Sequence, residues 1–71
     1  MKYTATVLPK KQLMYILERD GNTGFADDMF EYCLQNINLN KLKHSRFDYI
    51  CSDGWFWKKE WLIPNSIKEV E

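Results

Sequence analysis

The sequence predicts an α+β fold, a small antiparallel sheet packed on one amphipathic helix. Three observations carry that expectation. Residues 2–8 alternate β-forming side chains, residues 24–36 carry apolar residues at helical period, and Ser52-Asp53-Gly54-Trp55 stands between two aromatic stretches. Asp-Gly in such a setting calls for a tight hairpin turn.

The first strand is expected near 2–8, with Tyr3, Ala5 and Val7 on one side and Thr4 and Thr6 on the other. Residues 9–20 have two readings. Pro9 at the start and Gly21 at the end frame a helix. The apolar run 13–17 suits a buried strand, 12–19, paired with the first. No Ser, Thr, Asp or Asn caps the start of a helix here, and the balance tips to the strand.

The helix is expected over 24–36. Phe25, Ala26, Met29, Phe30, Cys33, Leu34 and Ile37 line one face, and Asp27, Asp28, Glu31, Tyr32 and Gln35 the other. Thr23 is positioned to cap it, and the two aspartates favour its positive end. Residues 38–45 read as a polar connection. Strands of 46–52 and 55–62 then flank the turn, Pro64 stops the second, and the polar tail 65–71 is expected to fray.

A two-residue loop at Asp53-Gly54 fixes a register in which Cys51 faces Phe56, Ile50 faces Trp57 and Asp48 faces Lys59. Arg46, Asp48, Ile50, Trp55, Trp57, Lys59 and Trp61 then share one face. Phe47, Tyr49, Cys51, Phe56 and Leu62 share the other. Both faces are aromatic, whereas an antiparallel sheet ordinarily keeps one face wet. The surplus is met by a second covering helix, by curling into a small SH3-like barrel, which is the alternative fold, or by an exposed aromatic patch.

The chain has 71 residues, enough for a single domain over 1–71. Ten basic and ten acidic residues cancel, so no global field holds a nucleic acid or an anionic membrane. The charges are unevenly placed. Glu18, Asp20, Asp27, Asp28 and Glu31 face one base, Arg19, whereas residues 41–59 hold five bases and two acids. No apolar run approaches the roughly 20 residues of a membrane span, and no signal-peptide pattern opens the chain. Two cysteines make no disulfide framework, so the expectation is a reduced, cytoplasmic protein.

Sites for chemistry are not found. The three glycines, Gly21, Gly24 and Gly54, form no phosphate loop. Cys33, His44 and Cys51 match no zinc spacing. The carboxylates of the expected helix face solvent, where nothing raises them for acid–base work. The expectation is therefore a non-enzymatic binding module with no cofactor and no metal.

Two surfaces are candidates for a protein partner. One is the Trp face of the hairpin, with Trp55, Trp57, Trp61, Arg46 and Lys59, since Trp anchors interfaces. The other is an acidic face, Asp20, Asp27, Asp28 and Glu31, offered to a basic groove. A homodimer through the same patch is a further partner reading. The competing function is single-stranded nucleic-acid binding, with bases stacked on the tryptophans; zero net charge counts against it.

The stretch Asp53-Gly54-Trp55-Phe56-Trp57-Lys58-Lys59-Glu60-Trp61-Leu62 resembles the C-terminal hairpins of short accessory proteins encoded by tailed bacteriophages, as do the short length and the composition. The resemblance covers some ten residues and carries no site residue with it. It implies a context, that of proteins that bind and redirect a host protein of the defence or transcription machinery.

Overall fold

The alternation at the start of the chain becomes strand β1, Lys2–Thr6. The computed structural model describes residues 2–21, 24–43 and 45–70. After β1 come helix α1, Lys10–Asp20, and a 3-10 turn, Asp27–Tyr32. Strands β2, Asn36–Lys41, β3, Tyr49–Cys51, and β4, Phe56–Trp57, follow. Two more 3-10 turns, Lys59–Trp61 and Pro64–Ser66, lead to β5, Lys68–Val70. The five strands form one antiparallel sheet in the order β4-β3-β2-β1-β5. The fold is α+β, with one α-helix among the described residues.

The helix is not where its period was read. Residues 10–20 form α1 and not the strand 12–19. Pro9 sits just before its first turn, and Gly21 closes it in the left-handed region at φ 92, its N–H bonded to the Leu17 carbonyl at 2.9 Å. Both are the end signals a helix prefers. In turn, no α-helix spans 24–36. Gly24 has φ 85, and a Cβ there would lie 2.4 Å from Cζ of Phe47. Cys33 leaves the helical region at φ −54, ψ 131, and Leu34 takes φ 65. The apolar spacing therefore serves as pegs rather than as a helix face. Phe25 and Met29 are sunk in the core, while Leu34 is 64% exposed. The Thr23 cap lies outside the described residues.

Residues 36–41 were read as helix end and connection, yet Ile37 and Leu39 alternate with Asn36, Asn38 and Asn40 and pair with β1 as Ala5↔Ile37 and Tyr3↔Leu39. Ladder pairing and burial of alternate residues outweigh the poor strand propensity of Asn. The expected frayed tail is likewise ordered at β5, where Lys2 pairs with Val70.

Beyond Thr6 the chain is held on both sides. Val7 N–H donates to the Gln35 carbonyl (3.1 Å) and Leu8 N–H to the Trp61 carbonyl (3.1 Å). Ile63 N–H donates to the Thr6 carbonyl (2.8 Å). Where the 64–66 turn lifts the chain off the ladder, the Ser66 hydroxyl oxygen accepts the Thr6 N–H at 2.8 Å and donates to the Ile63 carbonyl at 2.7 Å. A single 3-10 turn, Lys59–Trp61, thus carries the chain from β4 to the partner of β1. The sheet is open and is not closed into the small SH3-like barrel of the alternative. No strand pairing joins β4 to β5 among the described residues.

Ala5, Val7, Ile37, Leu39, Tyr49, Cys51 and Trp57 are buried on the inner side of the sheet with Leu13 and Leu17 of α1, Phe25, Met29, Trp61 and Leu62. Trp57, 0% exposed, is the hub. It meets Phe25, Tyr32 and Trp61 edge to face at centroid distances of 6.0, 5.8 and 6.2 Å. Such pairs contribute about 0.5–1.5 kcal/mol each beyond area burial. They offset the cost of the Trp57 indole N–H, which is buried with no hydrogen-bond partner among the described residues.

Candidate protein-docking site

The hairpin forms where Asp-Gly placed it, but its register differs by one residue. Cys51 and Trp55 close a three-residue loop. Cys51 N–H donates to the Trp55 carbonyl and Gly54 N–H to the Cys51 carbonyl, each at 2.9 Å, with Gly54 at φ 93. This is a turn followed by a glycine in the left-handed region, the usual three-residue connection. The ladder then pairs Tyr49 with Trp57 and Ile50 with Phe56. A slip of one residue exchanges the faces: Trp57 turns into the core, and Phe56 turns out and is 43% exposed. The expected Asp48–Lys59 side-chain pair is replaced by a bond from Lys59 N–H to Oδ2 of Asp48 at 2.9 Å.

The expected Trp face is consequently not a surface. Trp57 and Trp61 are buried, and the 3-10 turn 59–61 rolls Trp61 inward against Phe25 at 5.0 Å. Trp55 is half-buried; Arg46 and Lys59 are exposed. Of the three tryptophans only Trp55 reaches the surface in part. The acidic residues are exposed, but on different elements. Asp20 ends α1 and is paired with Arg19, Nε to Oδ1 at 3.0 Å, which holds its carboxyl below the ordinary value. Asp27, Asp28 and Glu31 lie on the 27–32 turn and not on an α-helix.

The hairpin tip is pinned to that turn. The Tyr32 hydroxyl donates to Oδ2 of Asp53. The carboxylate accepting its proton pushes the phenol up to about 12. Cys33 is half-buried and its thiol is raised by burial, which leaves it a packing residue. No group of three or more His, Cys, Asp or Glu side chains is gathered to hold a metal among the described residues. His44 lies outside them. Among the described residues no helix is long and apolar enough to cross a membrane.

Exposed apolar side chains stand at Leu34, Phe56 and Val70, and two consecutive ones, Met14 and Tyr15, lie on α1, a surface not among those expected from the sequence. Successive helix residues advance by 100°, so the run 13–17 is spread round the helix. Leu13 and Leu17 are buried, Ile16 is half-buried, and Met14 and Tyr15 are 51% and 66% exposed. A groove of about 540 Å³ runs beside this ridge, its apolar lining made by Leu8, Tyr15, Ile16, Leu62 and Pro64. Lys11, Lys59 and Glu60 stand at its rim. A second groove, of about 290 Å³, lies on the other flank, lined by Met14, Leu17, Glu18 and Phe30. Lys59 is the one residue of the expected Trp face that belongs to this site. The signal in the sequence was the apolar run 13–17 itself, too long for one buried helix stripe.

Comparison with protein-family models, with curated proteins and with solved structures found no match.

Proposed function

We propose that the protein is a small non-enzymatic binding module that docks an apolar segment of a larger protein on the outer side of α1. The observation that carries the reading is the Met14–Tyr15 ridge, exposed in mid-helix beside the 540 Å³ apolar groove. Concave, mostly apolar sites with a few polar groups at the rim are the ordinary form of a binding site. The resemblance of residues 53–62 to phage accessory proteins supplies the context, an inhibitor or modulator of a host protein of the defence or transcription machinery, acting in the bacterial cytoplasm.

Affinity capture from a bacterial lysate, with and without nuclease, tests this. Wild-type protein is compared with a Tyr15→Ser, Lys59→Glu variant, both positions being exposed. One dominant protein that survives nuclease and disappears with the variant is expected. If the variant keeps it, α1 is not the docking face and Asp27, Asp28 and Glu31 are the next surface to alter. A catch that nuclease clears replaces the reading with nucleic-acid binding.

A further inference from the structure

The outer stripe of α1 is complementary to itself. Residues 11, 14, 15 and 18 are spaced i, i+3, i+4, i+7 and so share one face of the helix. All four are exposed. The stripe reads Lys11, Met14, Tyr15, Glu18: a cation at the N-terminal end, two large apolar side chains in the middle, and an anion at the C-terminal end. Among the described residues neither Lys11 nor Glu18 makes an ion pair; the one such pair is Arg19–Asp20.

We propose that α1 pairs with α1 of a second copy of this chain, antiparallel about a two-fold axis. An axis through the midpoint between Met14 and Tyr15 lays Met14 of each copy against Tyr15 of the other. The same axis brings Lys11 of each copy to Glu18 of the other, so a single operation satisfies both charges twice. An isologous contact requires this self-complementarity of one patch. Parallel pairing is disfavoured, because it sets Lys11 against Lys11 and Glu18 against Glu18. The grooves on both flanks of the ridge let side chains of the two copies interlock, as ridges pack into grooves between helices. The 11-residue helix is only about 16 Å long, so the association is reversible and concentration-dependent.

This inference rests on α1 being the docking face of the proposed function, and it names a second copy as its occupant when no other partner is present. The dimer then covers the face that a larger partner must reach, and the partner competes with self-association.

Sedimentation velocity over a micromolar to millimolar series tests the pairing. Wild-type protein is expected to pass from one chain mass to two. Lys11→Glu alone places two acids together at both symmetric contacts, and Glu18→Lys alone places two bases there. Each is expected to weaken the dimer roughly tenfold. The double variant Lys11→Glu, Glu18→Lys restores opposite charges and is expected to recover wild-type association to within about threefold. Both positions are exposed, and circular dichroism of the variants checks that the fold is kept. A wild-type chain that stays monomeric throughout overturns the pairing, and so does a dimer indifferent to the single swaps or a double variant that does not recover. Those outcomes leave the docking reading standing if the capture experiment still yields a protein lost with Tyr15→Ser, Lys59→Glu. If that capture fails while the charge-swap rescue succeeds, α1 is a self-association surface alone.

Discussion

Two apolar stretches of this molecule meet opposite ends. In residues 55–62, Trp57, Trp61 and Leu62 are sealed from water, and of the large apolar side chains there only Phe56 is exposed, at 43%. In residues 13–17, Leu13 and Leu17 are sealed while Met14 and Tyr15 stand in solvent. The difference is geometric. The strand alternates, sending Trp57 in and Phe56 out, and the 3-10 turn after it rolls Trp61 and Leu62 inward together. A helix spreads five consecutive residues round its axis, so contact along one side can cover only part of them. A surplus of apolar surface is therefore built in wherever such a run is helical. On a protein this small the surplus is the place to look for a partner.

The sharpest way to break the comparison is Trp57→Ala. A large buried side chain removed at the hub costs about 3–5 kcal/mol, comparable to the whole stability of a domain of this size. The variant is expected to be unfolded in buffer by circular dichroism, and a cooperative melt close to wild type would remove Trp57 from the centre of the core.

Gly24→Ala is next. Its Cβ would press on the Phe47 ring at φ 85, at a cost of about 1–3 kcal/mol in urea denaturation. Gly54→Ala has φ 93 but open space around it and serves as the comparison, at about 1 kcal/mol. Equal losses at the two sites would show that strain in the backbone, and not the Phe47 ring, sets the cost.

A smaller effect concerns the pin between the hairpin tip and the 27–32 turn. The Tyr32 phenol is raised from 10.0 to about 12 in the folded chain. The stability it contributes is complete below pH 10.0 and is lost as pH climbs through about 12. Asp53→Asn is expected to bring the last tyrosine transition, followed by phenolate absorbance, back towards 10.0. An unmoved transition would dismiss the Asp53 carboxylate as its cause.

The smallest change is expected at Met14→Ser and Tyr15→Ser. Each should alter stability by no more than about 0.5 kcal/mol, because the side chains removed are already in water. A loss as large as that of Trp57→Ala would erase the contrast between the two stretches.

Several elements were legible in the sequence. Strand β1 announced itself by alternation, and Asp53-Gly54 marked the hairpin. The register was not legible, because Asp-Gly serves both a two-residue loop and the last two places of a three-residue loop. Only the position of Gly54 relative to Cys51 decides between them. The helix was misplaced because Phe25, Met29 and Cys33 repeat at a helical interval that a 3-10 turn with extended flanks can also satisfy. The signals that decided the matter were single residues, Gly21 closing α1, and Gly24 and Leu34 at positive φ. Strand β2 carries a clean alternation in Asn-Ile-Asn-Leu-Asn, hidden because Ile37 also continues the apolar spacing of the expected helix and the rest falls in a polar stretch. The exposed Met14–Tyr15 ridge is not legible for the same reason that residues 9–20 have two readings, since its exposure depends on the element being helical.

The Ser66 bridge has a consequence for solubility. The outermost strand beside β1 is divided by the Pro64–Ser66 turn into Leu62–Ile63 and Lys68–Val70, and the hydroxyl of Ser66 supplies the bond that an unbroken strand would have made to Thr6. A stranger strand arriving at that border finds only three consecutive residues to copy, two of them charged. Short, charged, interrupted borders are how sheets avoid growing into fibres. Crowded with aromatic side chains as it is, this protein presents at its β5 border no long, uncharged template to extend.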